Sequence, residues 1–277
     1  MYCRIIEKST SEVIINKKNR DLLNGWSNIL AGSNDDLIVS HEQKLARVNA
    51  KGICLWPQTV TCPGIPNNAY VSGDRLLVTT NSLEYTAWGM LGPALLFDAT
   101  DGSLIAQLKG ERCASYKYGS FILGLEGYDF FDTWLYGPNG KEMNHWRSYG
   151  HYIIDPDYSV RVIECDRQIP TKSCIARLLP DGSIERGSRL NWCQISEPVV
   201  LENGIIIFFD AGLLCAVDYN LRDEVIIKLT SIPLEDEYLF DSELLLDGAY
   251  LTVVLTERAR EAPMEYKKHC WILEIKN

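Results

Sequence analysis

The chain has 277 residues, 46% of them hydrophobic, with 37 acidic against 27 basic side chains, a formal net charge of −10 and a pI of about 5.0. That length and apolar content suit one large all-β domain, expected to span residues 1–277. The charge excludes a phosphate backbone as a direct partner, because like charges repel, and it steers a basic protein toward the surface.

In chain order, the first element is a β run at Cys3-Arg4-Ile5-Ile6-Glu7-Lys8, which lacks the apolar core of a signal peptide. A short helix is expected within Asn19 to Leu30. Five tight turns then follow, each between two β-type runs: Asn49-Ala50-Lys51-Gly52, Ala99-Thr100-Asp101-Gly102, Gly137-Pro138-Asn139-Gly140, Leu179-Pro180-Asp181-Gly182 and Asp218-Tyr219-Asn220-Leu221. They recur roughly every 40 to 50 residues, an interval that marks four-stranded repeat units. Asp-Gly and Asn-Gly supply the positive φ that tight hairpins need.

Strands are expected on both sides of these turns. Lys44 to Val48 leads into the first and Ile53 to Trp56 leads out. Ala94 to Asp98, Thr133 to Tyr136, Cys174 to Leu178 and Leu213 to Val217 lead into the others. Upstream of the hairpins lie Leu37 to Ser40, Arg75 to Thr80, Ser120 to Leu125, Ser159 to Glu164, Ile205 to Phe209 and Tyr250 to Leu255. Each unit is thus about four strands with its turn between the third and the fourth. The last unit ends at His269 to Lys276, a third strand, and the run Cys3 to Lys8 is the candidate for its fourth. The expected fold is all-β: a six-bladed β-propeller of four-stranded antiparallel blades, the N-terminal strand completing the last blade and covering two exposed edges. Seven blades and two packed sandwiches are the alternatives.

Nine cysteines form no CxxC pair and no regular pairing, so neither a disulfide framework nor a thiolate zinc site is expected. Several sit in apolar strands, such as Leu213-Leu214-Cys215-Ala216-Val217, where a thiol acts as a small hydrophobe. No apolar run approaches the roughly 20 residues that cross a bilayer. The reading is a cytoplasmic chain without a membrane partner, metal or cofactor.

Long loops are expected on the face opposite the tight turns, where a rigid scaffold concentrates binding residues. These loops hold large side chains interleaved with acids: Tyr85, Trp88 and Met90; Tyr128, Asp129, Phe130, Phe131 and Asp132; Glu235, Asp236, Glu237 and Tyr238. Aromatic residues and Met anchor protein interfaces. The candidate partner-binding residues are Trp88, Tyr128, Asp129, Phe130, Phe131, Glu235, Asp236 and Tyr238. The bland alternative is that the rings fold inward and plug their own loops. Catalytic patterns are absent: His41, His145, His151 and His269 have no HExxH spacing, and neither a GxSxG elbow nor a phosphate loop occurs. Paired carboxylates for sugar chemistry stay open, because their separation is a property of the fold.

Two units carry a resemblance. Leu95-Leu96-Phe97-Asp98-Ala99-Thr100-Asp101-Gly102-Ser103-Leu104-Ile105 is similar to the strand–turn–strand core of quinoprotein-type propeller repeats. Leu45-Ala46-Arg47-Val48-Asn49-Ala50-Lys51-Gly52-Ile53-Cys54-Leu55-Trp56 resembles the WD-type repeat in outline, with a Trp at its end but no Trp-Asp dipeptide. The resemblance implies a propeller and carries over no cofactor site. In overall character, as an acidic irregular propeller without a catalytic motif, the chain also resembles bacterial immunity proteins of the contact-dependent growth inhibition type. That likeness implies a non-enzymatic protein that occludes a basic toxin domain, such as a nuclease. The alternatives are a hydrolase or lyase with its site in a central funnel, and a peptide-recognising scaffold.

Overall fold

A computed structural model describes residues 2–14, 25–33, 35–86, 89–126, 130–148, 150–164, 174–189, 196–210, 213–218, 220–221, 223–228, 240–258 and 265–276. Every regular element among them is a β-strand. Strand β1 (Tyr2–Ile14) opens the chain. A first sheet holds β2 (Asn28–Ser33), β3 (Asp36–His41), β4 (Lys44–Val48) and β5 (Val60–Thr61). The second holds β6 (Ile65–Ser72), β7 (Arg75–Thr86), β8 (Gly89–Leu91), β9 (Ala94–Asp98) and β10 (Leu104–Leu108). The third holds β11 (Arg112–Lys117), β12 (Ser120–Glu126), β13 (Phe130–Tyr136) and β14 (Glu142–Trp146). Then come β15 (Gly150–Ile154), β16 (Val160–Glu164), β17 (Cys174–Leu178) and β18 (Ile184–Arg189), followed by β19 (Val199–Val200), β20 (Ile206–Asp210), β21 (Leu213–Val217) and β22 (Asp223–Lys228). The last sheet has the order β1-β25-β24-β23, from β23 (Phe240–Asp247), β24 (Tyr250–Arg258) and β25 (Glu265–Lys276).

All five turns fall between the third and fourth main-ladder strands of their sheets, as the repeat spacing predicts. The N-terminal strand does complete the last sheet: β1 pairs with β25 from Tyr2↔Lys276 to Ile14↔Glu265, with a bulge between Ile5 and Glu7. The helix expected within residues 19–30 is not formed where the structure describes the segment. Residues 28–30 belong to β2, and residues 19–24 lie outside the described residues.

Chain contacts group the molecule into two compact units. One comprises residues 19–161 and 178–183, the other residues 1–18, 162–177 and 184–277. In the first unit, the second sheet is buried on both faces. Leu76 and Val78 of β7 and Leu95 and Phe97 of β9 join Ile38, Leu45 and Trp56 of the first sheet's segment in one cluster. The intervening Leu77, Ala94 and Leu96 join Phe121, Leu123 and Trp134 of the third sheet in another. Successive side chains of a strand point to opposite faces. A strand covered on both faces therefore reads as a continuous apolar run, which is why Leu95-Leu96-Phe97 shows no alternation. In the second unit, Ile207, Phe209, Leu214 and Ala216 pack with Leu251, Val253, Trp271 and Leu273.

The strand expected over Ile53 to Trp56 is largely replaced. Only Cys54 bridges Val48, and the fourth strand is β5, which pairs at Lys44↔Thr61 and Leu45↔Val60. The cause is Trp56. Its side chain is buried at 3% exposure, and its indole N–H donates to the Ala99 carbonyl at 2.9 Å. Burying so large a ring with its one polar group satisfied outweighs a few ladder bonds.

Candidate interaction site

The turns are more than strand connectors. Side chains from one sheet grip the turn of the following sheet. Arg47 donates from Nη1 to the Ala99 carbonyl at 2.9 Å, beside the indole of Trp56. Arg75 donates from Nε to the Pro138 carbonyl at 2.6 Å. Asn144 and the indole of Trp146 both donate to the Leu179 carbonyl, at 2.8 and 3.2 Å. Trp56 and Trp146 stand at different offsets from their own turns, yet each caps the first or third turn's successor in the same way. Gly102 shows how close the approach is. At φ +77°, a Cβ there would lie 2.7 Å from the ring of Trp56.

Four of the five turns close with an Asp or Asn side chain that accepts the backbone N–H two residues on, at Asn49, Asp101, Asn139 and Asp181. Asn203 and Asp157 do the same in the first-to-second turns of their sheets. Hydrogen bonds from Ser159 and Ser183 hold the carboxyls of Asp157 and Asp181 below the usual carboxylate range, and Thr100 does so for Asp98.

At the tight-turn end of the first unit lies a cleft of about 550 Å³. Its walls are Ala31 and Gly32 of β2, Ala69 and Val71 of β6, the Gly73-Asp74 turn, Ala99-Thr100 and Tyr116 of β11. Arg47 and Asp36 close one side as a bidentate pair at 2.6 and 2.7 Å. That hydrogen bonding lowers the carboxyl of Asp36 and raises the guanidinium of Arg47. The Tyr116 ring is held 5.3 Å from Tyr70 and 6.4 Å from Phe121, centroid to centroid. The tight-turn face, expected to be plain, thus carries a shaped cleft. Sequence spacing gave no sign of it, since its walls come from five turns and strands far apart in the chain.

At the opposite end of the second sheet, the loop expected around Tyr85, Trp88 and Met90 is instead a β-hairpin arm. Strand β7 continues to Thr86 and β8 returns, paired at Asn81↔Leu91 and Thr86↔Gly89. The arm's base is fixed by hydrogen bonds from Asn67 Nδ2 to Asn81 Oδ1 at 2.7 Å and from Thr80 Oγ1 to the Pro93 carbonyl at 2.8 Å. Leu83, Tyr85 and Met90 on this arm are 55%, 83% and 46% exposed. Leu83 and Tyr85, two residues apart on one strand, share a face.

Of the candidate binding residues, Trp88, Tyr128, Asp129, Glu235, Asp236 and Tyr238 lie outside the described residues. Phe130 and Phe131 open strand β13, where Phe130 pairs with Glu126. Their neighbour Asp132 accepts from His145 Nε2 and Arg147 Nε, each at 3.2 Å, and His145 stacks on Trp134 at 5.1 Å. Cys62, Cys174 and Cys215 are buried, and burial pushes the Cys62 thiol up to about 11. Among the described residues, no group of three or more His, Cys, Asp or Glu is placed to hold a metal ion.

No protein-family model matches the chain, and no curated protein matches it. Solved structures do. A eukaryotic initiation factor structure aligns with a TM-score of 0.52 at 10% identity, over 88% of this chain and 65% of that one. This chain therefore spans just under two thirds of that relative. The fold is that of a β-propeller. The N-terminal domain of Nup159 aligns at 9% identity with a TM-score of 0.43, over 87% of this chain and 75% of that one. YCF48 from Cyanidioschyzon merolae aligns at 10% identity with a TM-score of 0.43, over 90% and 84%. Identities this low speak to fold alone.

Proposed function

We propose that this propeller is a non-enzymatic protein-binding module, and that the hairpin arm built by β7 and β8 is part of its binding face. The observation that carries the reading is the exposure of Leu83, Tyr85 and Met90 on an arm whose base is firmly hydrogen-bonded. Aromatic and Met side chains held out on a pre-ordered strand are interface anchors that lose little entropy on binding. The rival funnel enzyme calls for convergent carboxylates or histidines.

Copurification from the native host tests this reading. A stoichiometric partner is expected with the wild-type chain and should be lost with the combined Leu83→Ser and Tyr85→Ser substitutions. Equal recovery by both chains, or no partner at all, overturns the proposal. The finer reading is that the partner is a basic toxin, such as a nuclease, which the chain occludes, with Phe130, Phe131, Glu235 and Asp236 as candidate contacts. What supports it is the net charge of −10. It requires the recovered partner to be basic and its activity to be silenced at one-to-one stoichiometry. Combined Phe130→Ala and Asp236→Lys substitution should relieve that silencing.

A further inference from the structure

We infer that the cleft at the tight-turn end of the first unit receives an arginine side chain of a partner protein. This rests on the protein-binding reading above and assigns the chemistry of a second contact. Around the cleft, two arginines pair with three aspartates. Arg47 commits Nε and Nη2 to the two oxygens of Asp36 and Nη1 to the Ala99 carbonyl. Arg75 is divided between Asp74 at 3.0 Å, Asp98 at 3.2 Å and the Pro138 carbonyl at 2.6 Å. Three carboxylates, Asp36, Asp74 and Asp98, thus meet two guanidinium groups, Arg47 and Arg75, and leave one negative charge in surplus. Asp74 lies on the cleft wall with its side chain 65% exposed.

A cation beside Asp74 offsets that surplus among the paired residues, and the remaining walls select which cation. Tyr116 is 46% exposed and offers an aromatic surface already braced by Tyr70 and Phe121. A guanidinium stacks on such a face and pairs with a carboxylate edge-on, whereas an ammonium is held as a hydrated point charge. Gly73 adds no side chain to the wall and leaves open space beside it, since a Cβ there would meet nothing within 4 Å. Val71, 43% exposed, suits the aliphatic stem of the incoming side chain. The acidity of the whole chain favours approach of a basic partner.

The probe is N-acetylarginine amide, titrated into the full-length chain at low salt and followed by amide NMR, with N-acetylcitrulline amide as the uncharged isostere. Shift changes are expected at Gly73, Thr100 and Tyr116 with arginine and not with citrulline. Asp74→Asn should weaken binding by about fivefold or more, and Tyr116→Leu by a similar factor. Glu202→Gln removes the same charge from an exposed residue that belongs to neither the cleft nor the hairpin arm and should leave binding unchanged. Equal weakening by Asp74→Asn and Glu202→Gln, equal binding of citrulline, or shifts confined to other residues overturns the assignment. The assay needs no partner. A negative result therefore removes the cleft from the binding face without touching the hairpin test, and failure of the hairpin test leaves this result standing.

Discussion

Leu221 and Gly187 exchange the roles that residues play at the other turns. In the second turn a glycine, Gly102, takes the positive φ and lies under a large side chain, Trp56. In the fifth, Leu221 holds φ +65° itself, its side chain is buried at 4% exposure, and the facing strand supplies the glycine. A Cβ on Gly187 would fall 2.4 Å from Leu221 Cβ and 2.5 Å from its carbonyl oxygen. Gly187→Ala should therefore destabilise the fold by about 2 kcal/mol, as overpacking against backbone does. Adding Leu221→Gly removes one clash and leaves the carbonyl, so it should restore only part of the loss, with a coupling measurable in a urea-denaturation double-mutant cycle. The Asp155–Arg161 pair poses the opposite problem. The guanidinium, 1% exposed, donates to both oxygens of a carboxylate that is itself nearly buried. Asp155→Ala withdraws that bidentate partner from a buried charge and should cost about 3 kcal/mol in the same measurement.

The turn is the element that repeats, and its chemistry has a pH signature. Asp98, Asp157 and Asp181 all have carboxyls lowered from 3.8 by hydrogen bonds from Thr100, Ser159 and Ser183. A carboxylate depressed in the folded state adds stability that is complete above its unfolded value and is lost as pH falls through the folded value. The loss therefore belongs to the acid range below 3.8. Asn49, Asn139 and Asn203 already do the same acceptor work without a titrating group. Changing Asp98, Asp157 and Asp181 together to Asn should flatten the acid limb of stability against pH, while slightly lowering stability at neutral pH; thermal melts between about pH 2 and pH 7 read both. These turns were legible in the sequence because Asp-Gly and Asn-Gly demand a local backbone state that nothing distant can alter. The grip on them was not. Trp56, Arg47 and Arg75 reach carbonyls of another sheet, at separations of 43, 52 and 63 residues, which no local spacing encodes. The hairpin arm was missed for a related reason: residues 81–91 are rich in large side chains, which reads equally as a loop or as an exposed ribbon.

At the scale of the whole molecule, the pairing of the chain's two ends is the most non-local contact, and it was readable because both runs are β-type and each lacks a neighbour of its own. Strand β1, 13 residues long, contributes a ladder of 12 residue pairs to β25, which would otherwise present Glu265–Lys276 as an open edge. Long unpaired edges invite association with other chains. The free outer edge of β1 is itself blunted by the bulge at Ile5/Glu7 and by exposed Arg4, Glu7 and Lys8, the last of which lies 5.8 Å from the centroid of buried Trp271. Deleting residues 1–14 should therefore lower the melting temperature and make the chain self-associate, read by light scattering. A synthetic peptide of residues 2–14 added in trans should restore both, because the strand is needed for its pairing and not for its covalent connection. A fully monomeric deletion variant with an unchanged melting temperature would show that β25 is held by β24 and the core alone. The fluorescence of Trp271 gives an independent readout. With Lys8 and the β1 backbone removed from beside the ring, the emission should shift to the red, and it should return to the blue as the peptide saturates.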